Sequence, residues 1–272
     1  MEGQIVKIIS NDYFVKTNNN EYICKARGKF RQENITPKVG DFCLFDEKEK
    51  VIKEIKPRIN TLSRPLVSNI NQAFIVTSLK NPDFSSNLLD KLICICILNN
   101  IEPIICLTKK DLLTKSEYKD FKKIINYYKK LGIKVVYNNN INKIKKLLKH
   151  KTTVFTGQTG AGKSSLMNKL DKSLNFETNE ISKALGRGKH TTRTVSLVEI
   201  NNGKVLDTPG FSDIDLSIYK KEDIRDSFKE FKNKCKYTNC MHINEKECVV
   251  KELVNKNIIL KSRYENYIKF IK

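Results

Sequence analysis

The chain has 272 residues, of which 39% are hydrophobic and 30% charged, and its formal net charge is +21. That length allows two domains and a smaller third piece, and no apolar run nears the roughly 20 residues that a membrane-spanning helix needs. So large a positive charge points to a polyanionic partner, nucleic acid first, although a genome biased towards Lys, Asn and Ile would also raise it.

The start, Met1-Glu2-Gly3-Gln4, carries an acid and leads into no long apolar segment, unlike a secretory signal. With that, eight cysteines argue for thiols in a cytoplasmic chain and against a disulfide framework. Residues 1 to about 60 hold five short runs that alternate apolar with polar: 4–9, 13–16, 21–25, 41–45 and 51–55. Asn, Asp, Gly or charged turns separate them, which predicts a small β-barrel, and the OB-fold is the commonest five-stranded choice. Lys25, Arg27, Lys29 and Arg31 lie in one loop-like stretch, suited to phosphates or simply an ordinary basic surface.

From Pro57-Arg58 to Pro65 the chain reads as a linker. Strands are then predicted over 73–77, 103–107 and 135–136, alternating with helices over 84–99, 116–131 and 141–149. That alternation is the mark of a parallel sheet covered by helices on both faces. Cys24, Cys43, Cys94, Cys96 and Cys106 stand singly or near-singly in apolar strand or helix patterns and are expected to be small buried side chains.

At the end of the second of these strands stands Thr108-Lys109-Lys110-Asp111, similar to the Asn-Lys-x-Asp guanine motif with Thr first. A carboxylate there accepts two hydrogen bonds from guanine, which adenine cannot supply, and Lys109 can lay its stem along the base. The strand over 151–156 runs into Gly157-Gln158-Thr159-Gly160-Ala161-Gly162-Lys163-Ser164, and a helix follows with Ser165 in its first turn. This is a phosphate loop: glycines let backbone N–H groups close on phosphate oxygens, Lys163 adds charge, and Ser164 can ligate Mg²⁺. Asp111 precedes Gly157 by 46 residues, the reverse of the usual order in GTPases. Both loops still leave the same edge of a parallel sheet, so one site can be built by a circularly permuted chain.

Further on, Asp207-Thr208-Pro209-Gly210 follows a short strand, with Asp207 placed to support the Mg²⁺ and the Gly210 N–H to meet a γ-phosphate. The polar segment 186–193 lies between the two phosphate motifs, and Thr191 or Thr192 in it fits a switch threonine that completes the Mg²⁺ shell. Near the end, Cys235-x₄-Cys240-x-His242-x₅-Cys248 offers three thiolates and one imidazole, the ligand set of a closed structural Zn²⁺ site. Lys232, Lys234 and Lys236 make it a basic knuckle. Helical stretches over about 247–256 and 259–271 close the chain.

A β-barrel, T-K-K-D, G-Q-T-G-A-G-K-S, D-T-P-G and C-x₄-C-x-H-x₅-C, in that order, resemble the ribosome small subunit-dependent GTPase A (RsgA) family of circularly permuted GTPases. Ser63-Arg64-Pro65, Asn69-Ile70-Asn71-Gln72, Pro82-Asp83-Phe84-Ser85 and 186–192 add to the likeness. The resemblance implies a multidomain chain. An OB-fold β-barrel would span 1–62, a permuted α/β P-loop GTPase domain 63–218, and a zinc-binding helical domain 219–272. It implies one Zn²⁺ per chain, Mg²⁺ with GTP, GTP and GDP as ligands, and the small ribosomal subunit and its rRNA as partners. The expected product is a monomeric, cytoplasmic assembly factor, away from membranes, that hydrolyses GTP slowly until the subunit stimulates it. Two departures stand out. Thr108 replaces the usual Asn, which weakens the expected base grip, and Tyr137-Asn138-Asn139 stands where a Ser-Ala-type base loop belongs. Phe211, after D-T-P-G, cannot orient an attacking water, so His190 in the switch segment is the candidate for that task, beside Lys163 for charge neutralisation. The D-T-P-G segment also leads towards the zinc module, which suggests that nucleotide state repositions it. Competing readings are a nucleotide-gated RNA-binding placeholder, or a permuted GTPase of large-subunit or tRNA metabolism.

Overall fold

The computed structural model describes residues 1–18, 20–62, 66–171, 195–206, 215–232 and 235–272. The first five strands, β1 (Glu2–Ile9), β2 (Asp12–Lys16), β3 (Glu21–Ala26), β4 (Phe42–Asp46) and β5 (Val51–Ile55), close into a barrel in the order β1-β2-β3-β5-β4. The period-2 alternation seen in the sequence explains the closure: Ile5, Val15, Cys24, Cys43, Phe45 and Ile52 all point inward and form one apolar cluster. The basic stretch is less loop-like than its sequence suggests. Lys25 belongs to β3, while Lys29 and Arg31 sit in a one-turn helix, α1 (Lys29–Gln32), whose Phe30 is buried in the barrel cluster. The segment read as a linker contains β6 (Thr61–Leu62), which pairs antiparallel with β7 (Val67–Ser68) just beyond it.

The central sheet contains β8 (Gln72–Ser78), β9 (Glu102–Thr108), β10 (Lys134–Tyr137), β11 (Thr152–Gly157), β12 (Leu197–Ile200) and β13 (Gly203–Leu206) in the order β10-β9-β8-β11-β13-β12. All neighbours are parallel except β12, which returns antiparallel along β13. Four helices cross over the sheet: α2 (Ser86–Leu98), α3 (Lys115–Lys130), α4 (Ile141–Leu148) and α5 (Lys163–Leu170). Ser85 caps α2 by accepting from the Leu88 N–H, and Thr114 with Glu117 forms a capping box on α3. β8 is buried along its whole length because both faces are covered. Its Ala73 and Ile75 join the core under α2 and α3, whereas Phe74 and Val76 join the core under α4 and α5. Phe74 stacks on Phe155 of β11, ring centroids 5.1 Å apart.

The remaining helices, α6 (Lys221–Ser227), α7 (Val249–Asn255) and α8 (Lys261–Phe270), pack on the α2 side. Phe228, Phe231 and Tyr267 belong to the same apolar cluster as α2, so the C-terminal helices share a core with the sheet, and the barrel has its own. Two buried aspartates mark the joints. Asp41 accepts from the Arg58 Nε and Nη2, both at 2.7 Å, from the Ser68 hydroxyl at 2.5 Å and from the Lys38 N–H at 2.7 Å. Asp90, on α2, accepts from Arg263 Nη1 at 2.5 Å, the Asn266 amide at 2.7 Å and the Tyr128 hydroxyl at 2.6 Å. Arg263 also donates through Nε to Glu230, and its guanidinium lies 4.6 Å from the Phe228 ring centroid. Burial opposes the Arg263 charge, but Asp90 and Glu230 outweigh it and hold its pKa above the ordinary value. With two carboxylates sharing one guanidinium, burial pushes the Asp90 carboxyl up.

Candidate functional site

Strands β11 and β9 lie either side of β8 and run parallel to it, so the two loops that follow them emerge at the same edge of the sheet. Gly157 closes β11 with φ of 128°, and a Cβ there would stand 2.1 Å from the Val76 carbonyl oxygen. Only glycine fits that approach. Gly160 and Gly162 also take positive φ, 75° and 93°. Gly162 is the N-cap of α5 and offers no side chain, so the first N–H groups of that helix are left for a ligand. Lys163 curls back over the loop and donates to the carbonyls of Gly157 at 2.8 Å and Gln158 at 2.7 Å. Burial pulls its pKa below the usual lysine value. Ser164 and Ser165 sit in the first turn of α5, the former half-buried and the latter exposed.

Thr108 is buried at the end of β9, and its hydroxyl donates to the Ala161 carbonyl at 2.7 Å. The residue that stands in place of Asn therefore ties the base loop to the phosphate loop, and the departure noted in the sequence fills a tethering position. Lys109 adopts the left-handed conformation, φ 56°, and its amine reaches the Asn81 carbonyl. Asp111 is exposed in a 3₁₀ turn over Lys110–Leu112. Lys110 lies 4.2 Å from the Tyr118 ring centroid and 5.2 Å from that of Tyr137, and the two hydroxyls are 2.9 Å apart. The Asn138 N–H donates to the Leu107 carbonyl at 3.0 Å, which seats the loop after β10 beside the base loop. The corner after β8 entered the sequence reading only through Pro82-Asp83-Phe84-Ser85 as a family likeness, and its place beside the two loops was missed. Asn81 receives Lys109, and Pro82 comes within 3.7 Å of where a Cβ on Gly160 would stand. An Asn-Pro pair directly after a strand was the available signal. Thr108 to Asp111 and Gly157 to Ser165 thus converge. His190, Thr191, Thr192, Asp207 and Gly210 lie outside the described residues.

The second site is at the other end of the chain. Cys235, Cys240, His242 and Cys248 bring three Sγ atoms and Nδ1 within 4.8 Å of one another. Cys235 and Cys240 lie 3.9 and 3.8 Å from Cys248, and Nδ1 lies 3.6, 3.3 and 3.3 Å from Cys235, Cys240 and Cys248. A tetrahedral ion with bonds of about 2.3 Å to sulfur and about 2.1 Å to nitrogen separates its ligands by roughly 3.5–3.8 Å, so the cluster has the right size for a metal. Burial pushes the Cys240 thiol up to about 12 and pulls the His242 imidazole down. A thiolate in this cluster needs a cation beside it, and the burial of the imidazole favours the neutral form that ligates. The Tyr264 and Tyr267 hydroxyls donate to the carbonyls of His242 and Met241, each at 2.6 Å, fastening the knuckle to α8.

Comparison with known proteins settles the family. The sequence profile of the RsgA GTPase matches residues 55–217, and that of the RsgA N-terminal domain matches residues 2–51. The chain belongs to the RsgA GTPase family. It is 46% identical to "Small ribosomal subunit biogenesis GTPase RsgA" of Clostridium novyi, with 99% of this chain and 96% of that protein covered. It is 44% identical to "Small ribosomal subunit biogenesis GTPase RsgA 2" of Oceanobacillus iheyensis over the same shares. Among solved structures, YloQ, described as a circularly permuted GTPase, superposes with a TM-score of 0.84 at 33% identity, covering 99% of this chain and 93% of that one. YjeQ from Thermotoga maritima gives 0.86 at 31%, covering 99% and 96%. The RsgA fold accounts for the inverted order of base and phosphate motifs: this is a circularly permuted GTPase carrying an OB-like barrel before the core and, after it, a Cys₃His cluster able to hold a metal ion. No helix among the described residues is long and apolar enough to cross a membrane.

Proposed function

We propose that the chain hydrolyses GTP as a late assembly factor of the small ribosomal subunit, binding the subunit through its rRNA and being accelerated by it. The observation that carries the GTP reading is the 2.7 Å bond from Thr108 to Ala161, which sets base loop and phosphate loop as one receptor. The names of relatives above 40% identity over nearly the full chain support the subunit as partner. Asp111 would accept from the guanine N1–H and exocyclic amine, with Lys109 along the base. Gly157, Gln158, Thr159, Gly160, Ala161 and Gly162 would cradle the phosphates, and Lys163 would leave its two carbonyls for their oxygens. The Ser164 hydroxyl has no hydrogen bond among the described residues, which supports it as a Mg²⁺ ligand. With Thr192 it would hold Mg²⁺, which when bound neutralises charge across the β- and γ-phosphates. Asp207 and Gly210 would support that ion and the γ-phosphate, and His190 would orient the attacking water.

The thiolate-rich, buried and closed ligand set favours Zn²⁺, one per chain, as a staple with no open position for chemistry. We assign 1–62, 63–218 and 219–272 as barrel, GTPase and zinc domains of a cytoplasmic monomer. GTP and ATP turnover with and without purified small and large ribosomal subunits tests the whole reading. GTP alone should be turned over, several-fold to many-fold faster with the small subunit. A preference for ATP, or acceleration by the large subunit only, would overturn it.

A further inference from the structure

The positive charge is distributed very unevenly. Residues 1–62 carry twelve basic and nine acidic side chains, and residues 219–272 carry fourteen and eight. Residues 115–151, only 37 long, carry twelve lysines against Glu117 and Asp120, a surplus of ten out of the chain's +21. A compositional drift towards lysine would raise the count everywhere, and it does. It would not place nearly half of the net surplus in these 37 residues.

Within that stretch α3 has an ordered pattern. Lys115, Lys119, Lys122, Lys123, Lys129 and Lys130 are all exposed. At about 100° per residue they fall within an arc of about 120°, roughly opposite the buried Tyr128 and to one side of the buried Ile125. Both acids already have work elsewhere: Glu117 caps the helix and pairs with Lys80, and Asp120 meets Lys123. Among the described residues no other lysine of the stripe has a carboxylate partner. The stripe is about 22 Å long at about 1.5 Å per residue. It starts near the base loop at Lys115 and ends near the C-terminal module, where Tyr127 donates to Glu230.

We propose that the α3 stripe is a docking surface for the phosphate backbone of a double-helical RNA. One or two lysines per turn, presented by a rigid capped helix with no apolar residue among them, suit evenly spaced phosphates read without sequence. An anionic membrane would call for exposed apolar side chains beside the lysines, and the apolar side of α3 is packed on the core instead. The identity of the RNA as part of the small subunit rests on the functional reading above; the surface itself does not.

The test is K119Q/K122Q/K129Q in the full chain, with K143Q/K146Q/K149Q as a control of equal charge change on and beside α4, under the opposite face of the sheet. Gln keeps helix propensity, and unchanged intrinsic GTP turnover reports an intact fold. Binding to a bare RNA duplex of about 20 base pairs is titrated at several salt concentrations, and vesicles of anionic phospholipid serve as the second probe. The α3 variant should lose about tenfold in duplex affinity at 0.1 M salt, and the slope of log K against log salt should shrink by about 3, near one per lysine. Unchanged affinity and slope, an equal loss in the α4 control, or a loss seen only with vesicles would each overturn the proposal. Failure of the small subunit to stimulate the unsubstituted chain would instead remove the functional reading and leave the duplex result standing.

Discussion

Asp41 and Asp90 are both fully buried, and each is met by an arginine from another part of the chain. Around Asp41 everything is polar and local to the seam: Arg58, Ser68 and the Lys38 N–H, with the Asn69 amide on the Gly40 carbonyl alongside. Arg58 is still 24% exposed. Around Asp90 the arginine is 2% exposed, a second carboxylate shares it, and the Phe228 and Tyr128 rings lie beside it within the core of the sheet. The barrel keeps its own apolar cluster and is joined to the GTPase core by the Asp41 hydrogen bonds and by Val6 and Val39, which belong to the cluster of the sheet. The C-terminal module is built into the core through α2. A nucleotide-driven movement of the Cys₃His knuckle must carry α2 with it or break a buried ion network, whereas a tilt of the barrel would strain the partly exposed Arg58 pair and part Val6 and Val39 from the core.

Removing the metal tests the larger joint hardest. Chelation should unfold residues 235–248, with an apparent cost on the order of 10 kcal/mol for the metal-dependent part. Hydrogen exchange should then show lost protection spreading through Tyr264 and Tyr267 into α8 and not into the barrel. Next in size, Arg263→Ala leaves Asp90 and Glu230 buried without their cation and should cost about 3–5 kcal/mol in denaturant unfolding. Core and C-terminal helices should melt together. If the C-terminal helices melted first, leaving the sheet intact, the idea of a shared core would be wrong. Asp41→Asn should cost less, about 1–3 kcal/mol, because Arg58 can turn to water. Proteolysis should then cut between the barrel and the sheet while intrinsic GTP turnover survives. The smallest effect belongs to the tie inside the nucleotide site. Thr108→Val keeps the shape, loses the bond to Ala161, and should cost about 1 kcal/mol, read as a KM for GTP raised roughly fivefold at nearly unchanged kcat.

Much of this was legible in the sequence, for identifiable reasons. The barrel strands and sheet strands announce themselves by period and by burial on both faces, and the phosphate loop and Cys₃His cluster are local in sequence. What escaped was either very short or very distant. β6 and β7 are two residues each, and the stretch between the phosphate loop and Asp207 hid the antiparallel edge strand β12. Asp90 and Arg263 are 173 residues apart, and nothing near either position advertises a partner. Thr108 was visible as a departure from Asn, but the carbonyl it meets lies 53 residues downstream. Its meaning appears only when β9 and β11 are set either side of β8.

That hydroxyl has a further consequence. A site whose two ends are fastened to each other behaves like a caliper with its jaws locked: it measures the span from base to phosphate before it weighs either group. Opening one end for a ligand of the wrong length costs that bond, about 1 kcal/mol, so shortened or lengthened guanine nucleotides should lose somewhat more affinity than their missing contacts explain. Discrimination by reach is then built into one side chain, ahead of any recognition of the base itself.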